Sequence, residues 1–211
     1  MNRELERYIE EEIIPKYREF DSAHNESHVR AVIKESLSLS KYYDVNTDMV
    51  YTVAAFHDTG LSVGRENHHK VSADIIKNDT NLKKWFSPEQ IGIIADAAED
   101  HRASNKSAPR SIYGRIVAEA DRLIDACTIV RRAIRYGIDN YPNLDKEGMF
   151  RRFREHMQEK YAEGGYLKLW IPESPNAERL RKFQQELKDD VKVREYFERI
   201  YLEETNGSSL D

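Results

Sequence analysis

The chain has 211 residues, of which 39% are hydrophobic with 12 tyrosines counted in, and 34% are charged. That is lean for a globular domain, yet Leu, Ile, Val, Phe and Tyr recur through the whole length in numbers that support one sizeable core and exclude general disorder. With 33 basic against 38 acidic side chains the net charge is −5, so neither a nucleic-acid polymer nor an anionic membrane surface is an expected partner.

Apolar residues recur at helical spacing almost everywhere and alternating runs are nearly absent, which predicts an all-α fold. Helices are expected at about 2–19, 26–41, 47–58, 68–78, 88–101, 110–124, 126–137, 146–161 and 176–203. Gly60 stops the third of these. Ser87-Pro88-Glu89-Gln90 starts the fifth, with a capping serine, proline at the first helical position and glutamine three after the cap. The stretches 140–145 and 171–176, rich in Asn and Pro, read as loops. One domain is the simplest account: a core over about 20–138, a helical extension over about 139–204 and a frayed tail over 205–211. No apolar run nears the roughly 20 residues that cross a bilayer, and the start MNRELERYIEEE is too charged for a secretory signal. The lone Cys127 excludes an intramolecular disulfide framework and a cysteine-only metal site. A cytoplasmic protein is the expectation.

The informative feature is where ionisable residues fall relative to the apolar stripes. On the third helix Val50, Val53 and Ala54 mark the inward face, which next reaches His57, with Asp58 following at once. On the sixth, Asp121 sits four after Val117 and three before Ile124. The fifth runs Ile91, Ile94, Ala95, Ala98 and arrives at His101. His28 shares a face with Val32 and Ile33, and His68 with Val71, Ser72 and Ile75. Five helices thus each send an ionisable side chain inward. Burying such groups unpartnered costs several kcal/mol apiece, by order of magnitude, which a marginally stable domain could hardly carry. A divalent cation bound by neutral imidazoles and carboxylates is one compensation. The end of the third helix just after Asp58 suits it, because a helix C-terminus favours positive charge.

These residues, in this order, resemble the HD superfamily of metal-dependent phosphohydrolases, whose pattern is H…HD…D with ligands on separate helices. AHNESHVRAVIKESLSLS supplies His28, VYTVAAFHDTGLS supplies His57 and Asp58, and IVAEADRLIDA supplies Asp121. ENHHKVSADII and AAEDHRAS are similar to the family's further histidine segments at His68 and His101, and HMQEKYAEGGYLKLW is similar to the C-terminal part of a bacterial subgroup. The chain lacks the GYP element of cyclic-di-GMP phosphodiesterases and the extra domains of large guanosine tetraphosphate hydrolases.

The resemblance implies an HD-domain helical bundle with a C-terminal helical appendage and a hydrolase of phosphate esters or phosphoanhydrides, acting on a nucleotide or another small phosphorylated metabolite. His28, His57, Asp58 and Asp121 would hold a divalent cation, and His68 with His101 a second one or else the substrate phosphate. Mn, Fe, Co, Ni or Zn suits this nitrogen and oxygen set better than Mg. The cation would lower the pKa of a bound water, which Asp58 would orient, while Lys70, His101 and Arg102 stabilise the phosphate oxygens. His24, His68 and Arg122 are expected to contact substrate. Two rivals stay open: a diiron oxygenase on the same fold, in which His68 and His101 complete six ligands, and a non-catalytic nucleotide sensor. His69, His156 and Arg151, Arg152 and Arg154 read as solvent-facing. Tyr161, Tyr166 and Trp170 read as packing of the C-terminal segment, or as an aromatic wall. Cys127 has no evident base beside it.

Overall fold

The computed structural model describes residues 1–21, 24–105 and 107–207. Among these there is no strand, and the α-helices are α1 (Arg3–Tyr8), α2 (Glu26–Leu39), α3 (Thr47–Phe56), α4 (His68–Asn78), α5 (Pro88–Asp100), α6 (Ile112–Asp121), α7 (Ala126–Asn140), α8 (Lys146–Tyr161), α9 (Asn176–Leu187) and α10 (Asp190–Gly207). None is long and apolar enough to cross a membrane. The chain divides into two compact units. One comprises Met1–Arg122 with Leu169–Ser174, the other Leu123–Lys168 with Pro175–Asp211.

In the first unit α3 is the central helix. Met49 through Phe56 are all buried, so it has no solvent face, and α2, α5 and α6 pack against it. Its caps are local: the Asn46 side chain accepts from the N–H groups of Asp48 and Met49. Leu5, Ile9, Ile13, Val29, Val32, Val53, Phe56, Ile94 and Val117 belong to the shared core. The single helix expected over 2–19 is instead α1, then a π-helical turn at Ile9–Ile13, then 3-10 turns at Ile14–Glu19. Pro15 explains the break, since it removes a backbone donor and its ring collides with the preceding turn. The capping box at Ser87 forms as expected, with Ser87 Oγ accepting from Gln90 N–H and Gln90 Oε1 from Ser87 N–H.

The helix expected over 110–124 stops at Asp121, because Leu123 adopts φ 37°, a left-handed conformation that ends a helix and that only glycine enters without strain. In the second unit α7, α8, α9 and α10 enclose Ile134, Met157, Phe183 and a cluster of Phe150, Phe153, Phe197 and Tyr201. The helix expected over 176–203 is two, with Lys188 and Asp189 between them. Of the tail expected to fray from Thr205, residues 205–207 are helical and 208–211 lie outside the described residues. Arg152 is not on a solvated face: its guanidinium lies 5.0 Å from the Tyr136 ring and 4.7 Å from that of Tyr141. His156 is half-buried beside Tyr161, which in turn packs on Phe183.

Candidate metal centre

Five helix ends of the first unit meet at one buried point. His57 caps the C-terminus of α3 and Asp58 follows it, His101 caps α5, and Asp121 is the last residue of α6. His28 lies in the first turn of α2, and His68 is the first residue of α4. Asp58 is central, with its two carboxylate oxygens facing opposite ways. Oδ2 lies 3.2 Å from His57 Nε2 and 3.7 Å from His28 Nε2, while Asp121 Oδ1 lies 3.2 Å from His28 Nε2 and 3.9 Å from His57 Nε2. Oδ1 lies 3.4 Å from His68 Nε2 and 3.3 Å from His101 Nε2, which are themselves 3.2 Å apart. Two donors each ~2.1 Å from one ion stand roughly 3.0 to 3.4 Å apart in octahedral or tetrahedral geometry, so these spacings fit two cations sharing Asp58. The groups His28, His57, Asp58 and Asp58, His68, His101 each have the geometry to hold one.

The local sequence fixes which nitrogen faces inward. His57 Nδ1 donates to Ala54 O at 2.7 Å and His101 Nδ1 to Ala98 O at 2.5 Å. Both acceptors are carbonyls of a last helical turn, three residues back, that the ending ladder leaves free. His68 Nδ1 donates likewise to Arg65 O at 2.8 Å. With each Nδ1 carrying the proton, each Nε2 in the neutral ring is left as an acceptor. Two such lone pairs 3.2 Å apart, at His68 and His101, repel unless a cation lies near both. The fully buried His57 Nε2 makes no hydrogen bond. The donor set therefore fits transition metal ions.

Electrostatics agree. Burial works against ionisation of Asp58 and Asp121, but His57 and His101 around the first, and His28 and His57 around the second, hold both carboxyls well below the usual range. Burial also disfavours charge on His57; the Asp58 and Asp121 carboxylates outweigh it and raise His57 to about 9. His68 moves the other way, to about 4, through burial and the neighbouring His101. Asp121 is the most open ligand, with 21% of its side chain exposed against 6% or less for His28, His57, Asp58 and His101. Solvent therefore reaches the centre mainly past Asp121.

The other expected site residues are more dispersed. His24 is buried with its ring 5.8 Å from that of His28, and its Nδ1 is 2.7 Å from Asp21 Oδ1. Lys70 is exposed on α4. Arg102 donates to Glu66 O at 2.6 Å, tethering the loop before α4. Arg122, expected at the substrate, is buried and donates to His101 O at 3.1 Å and to Ala118 O. A guanidinium so engaged ties α5 to α6 beside the centre rather than reaching for an anion. His69, expected in solvent, is buried because the first turn of α4 packs on α5; burial and the nearby Arg102 lower its pKa. Of the three aromatics, Trp170 belongs to the first unit and donates its backbone N–H to the buried Glu119 at 2.6 Å, Tyr161 packs within the second, and Tyr166 is exposed.

Gly60, expected to stop the third helix, lies instead in a 3-10 helix over Thr59–Val63 after α3 has ended at Phe56, and it has another use. A Cβ there would stand 2.0 Å from His68 O and 2.7 Å from Ser72 N, and its N–H donates to Ser72 Oγ at 2.9 Å. Only glycine lets α4 approach the His57-Asp58 turn so closely. The signal was available as a glycine two residues after the aspartate.

A family model described as HD domain matches residues 25–125, a span that contains all six converging side chains. No curated protein and no solved structure matches the chain.

Proposed function

We propose that the chain, whose residues 25–125 match the HD-domain model, is a metal-dependent phosphohydrolase of that superfamily, cleaving a phosphate ester or phosphoanhydride of a nucleotide or another small phosphorylated metabolite. The observation that carries this reading is the Asp58 carboxylate, whose two oxygens each face a pair of imidazole nitrogens. Two divalent cations against the two carboxylates of Asp58 and Asp121 leave two positive charges, which match a phosphate dianion. When bound, such ions supply Lewis acidity and water of lowered pKa.

The chain's own residues do the rest. His28, His57, Asp58 and Asp121 would hold one ion, and Asp58, His68 and His101 the other. The four imidazoles exclude bulk water from the buried side. Asp58 would orient the attacking water, which reaches the centre on the more open side beside Asp121. Lys70 is exposed and in none of the ion pairs among the described residues, so of the cations considered it is the one assigned to the phosphate oxygens. A water nucleophile requires no covalent intermediate, and Cys127 takes no part.

The same shared carboxylate also favours a second reading, a diiron oxygenase on this fold; two irons per chain with substrate-dependent oxygen uptake and no phosphate release would select it. The test of the first reading is a phosphate-release screen over nucleotides and sugar phosphates with Mn, Co, Ni and Mg, on protein purified without chelator. Release is expected with the transition metals, and His57→Ala and Asp121→Ala each abolish it while His156→Ala does not. Full activity in either of the first two variants removes the proposed mechanism.

A further inference from the structure

The end of α3 leaves backbone groups that need partners. A continuing helix would send the Asp58 N–H to Ala54 O, but that carbonyl takes the His57 imidazole. Phe56 O takes the Thr59 hydroxyl at 2.8 Å. Ala55 O and the Asp58 N–H are both served by a single side chain. The Tyr17 hydroxyl donates to Ala55 O at 2.9 Å and accepts from Asp58 N–H at 3.3 Å. Tyr17 is wholly buried, with its ring edge-on to Phe20 and 6.4 Å from the His57 ring. Phenylalanine would fill the same apolar space, and a buried hydroxyl is costly unless paired. Here both of its hydrogen bonds go to the segment that carries the two adjacent ligands.

We infer that Tyr17, which lies before the matched segment, is a positioning residue of the metal centre: its hydroxyl replaces the broken helical ladder and fixes the direction in which Asp58 presents its shared carboxylate. The inference rests on the metal-centre reading above. Tyr17→Phe keeps the ring and removes both hydrogen bonds. Metal affinity by chelator competition is expected to fall about 10- to 100-fold, the range for loss of an outer partner of a ligand. The visible bands of the Co(II)-loaded protein are expected to shift, and kcat to fall with KM nearly unchanged. Leu5→Ala, a core truncation in α1, serves as the destabilised control and leaves affinity and bands as in the wild type. Wild-type affinity and bands in Tyr17→Phe overturn the proposal. Should that variant not fold, 3-fluorotyrosine at position 17 perturbs the same two bonds; shifted Co(II) bands support the proposal and unchanged bands overturn it. A wild-type protein that binds no transition metal overturns the metal-centre reading itself, and this inference with it, a result distinct from the first.

Discussion

Three histidines of the centre, His57, His68 and His101, each make one short contact to a backbone carbonyl. His57, raised to about 9, is protonated near neutral pH in the metal-free protein, so metal binding there expels a proton. A group whose pKa is raised on folding contributes stability that is complete below its unfolded value, about 6.5, and lost as pH climbs through the folded one. The chelated protein should therefore lose stability between pH 6.5 and about 9 while metal affinity rises across the same window; denaturant titrations and metal competition at several pH values measure both. His68, lowered to about 4, adds a loss of stability as pH falls from 6.5 towards 4. Gly60→Ala gives a steric test. The new methyl meets the backbone of α4, not a flexible side chain, so His68 must retreat. Affinity of the His68 and His101 side should drop by about 10- to 100-fold while the His28 and His57 side keeps its ion, read by metal content under graded chelator. At this scale the ligands were legible because an ionisable residue on an apolar stripe is anomalous. Tyr17 and Gly60 were not, since a tyrosine within an apolar run and a glycine after a helix have ordinary uses.

Helices were legible where their ends carry local chemistry. Ser87 and Gln90 announce the start of α5, and the box they form lies at the end of that helix remote from His101. Ser87→Ala should cost about 1 kcal/mol, the usual value of such a cap, lowering Tm by roughly 2 to 4 °C for a chain of this size. Metal content should not change. Thermal melts with elemental analysis check both, and lost metal would mean that the cap also sets the position of His101. Other boundaries were read wrongly for identifiable reasons. Pro15 sits where the apolar spacing runs on unbroken from Leu5 to Tyr17, so periodicity hid the π-helical turn. Leu123 ends α6 in a conformation usually given to glycine, and nothing in its side chain signals that. The break at Lys188 and Asp189 has neither glycine nor proline to mark it.

Across the whole molecule, composition bounded the answer without locating it. A near balance of charges offers no general attraction for polyanions and one cysteine excludes an intramolecular disulfide, while the all-helical reading follows from periodicity alone. What composition does not reveal is that the buried charge is gathered in one place: Asp58, Asp121 and four histidines all lie in the unit formed by Met1–Arg122 and Leu169–Ser174. The most direct test is the number of transition metal ions per chain, measured by elemental analysis in the wild type, in a His68→Ala/His101→Ala double variant and in His57→Ala. The account predicts about two ions in the wild type and about one in each of the two variants, the double variant losing the His68 and His101 side and His57→Ala the His28 side. Folded wild-type protein that retains no ion after exposure to Mn, Fe, Co, Ni or Zn, or equal metal content in all three proteins, would contradict it.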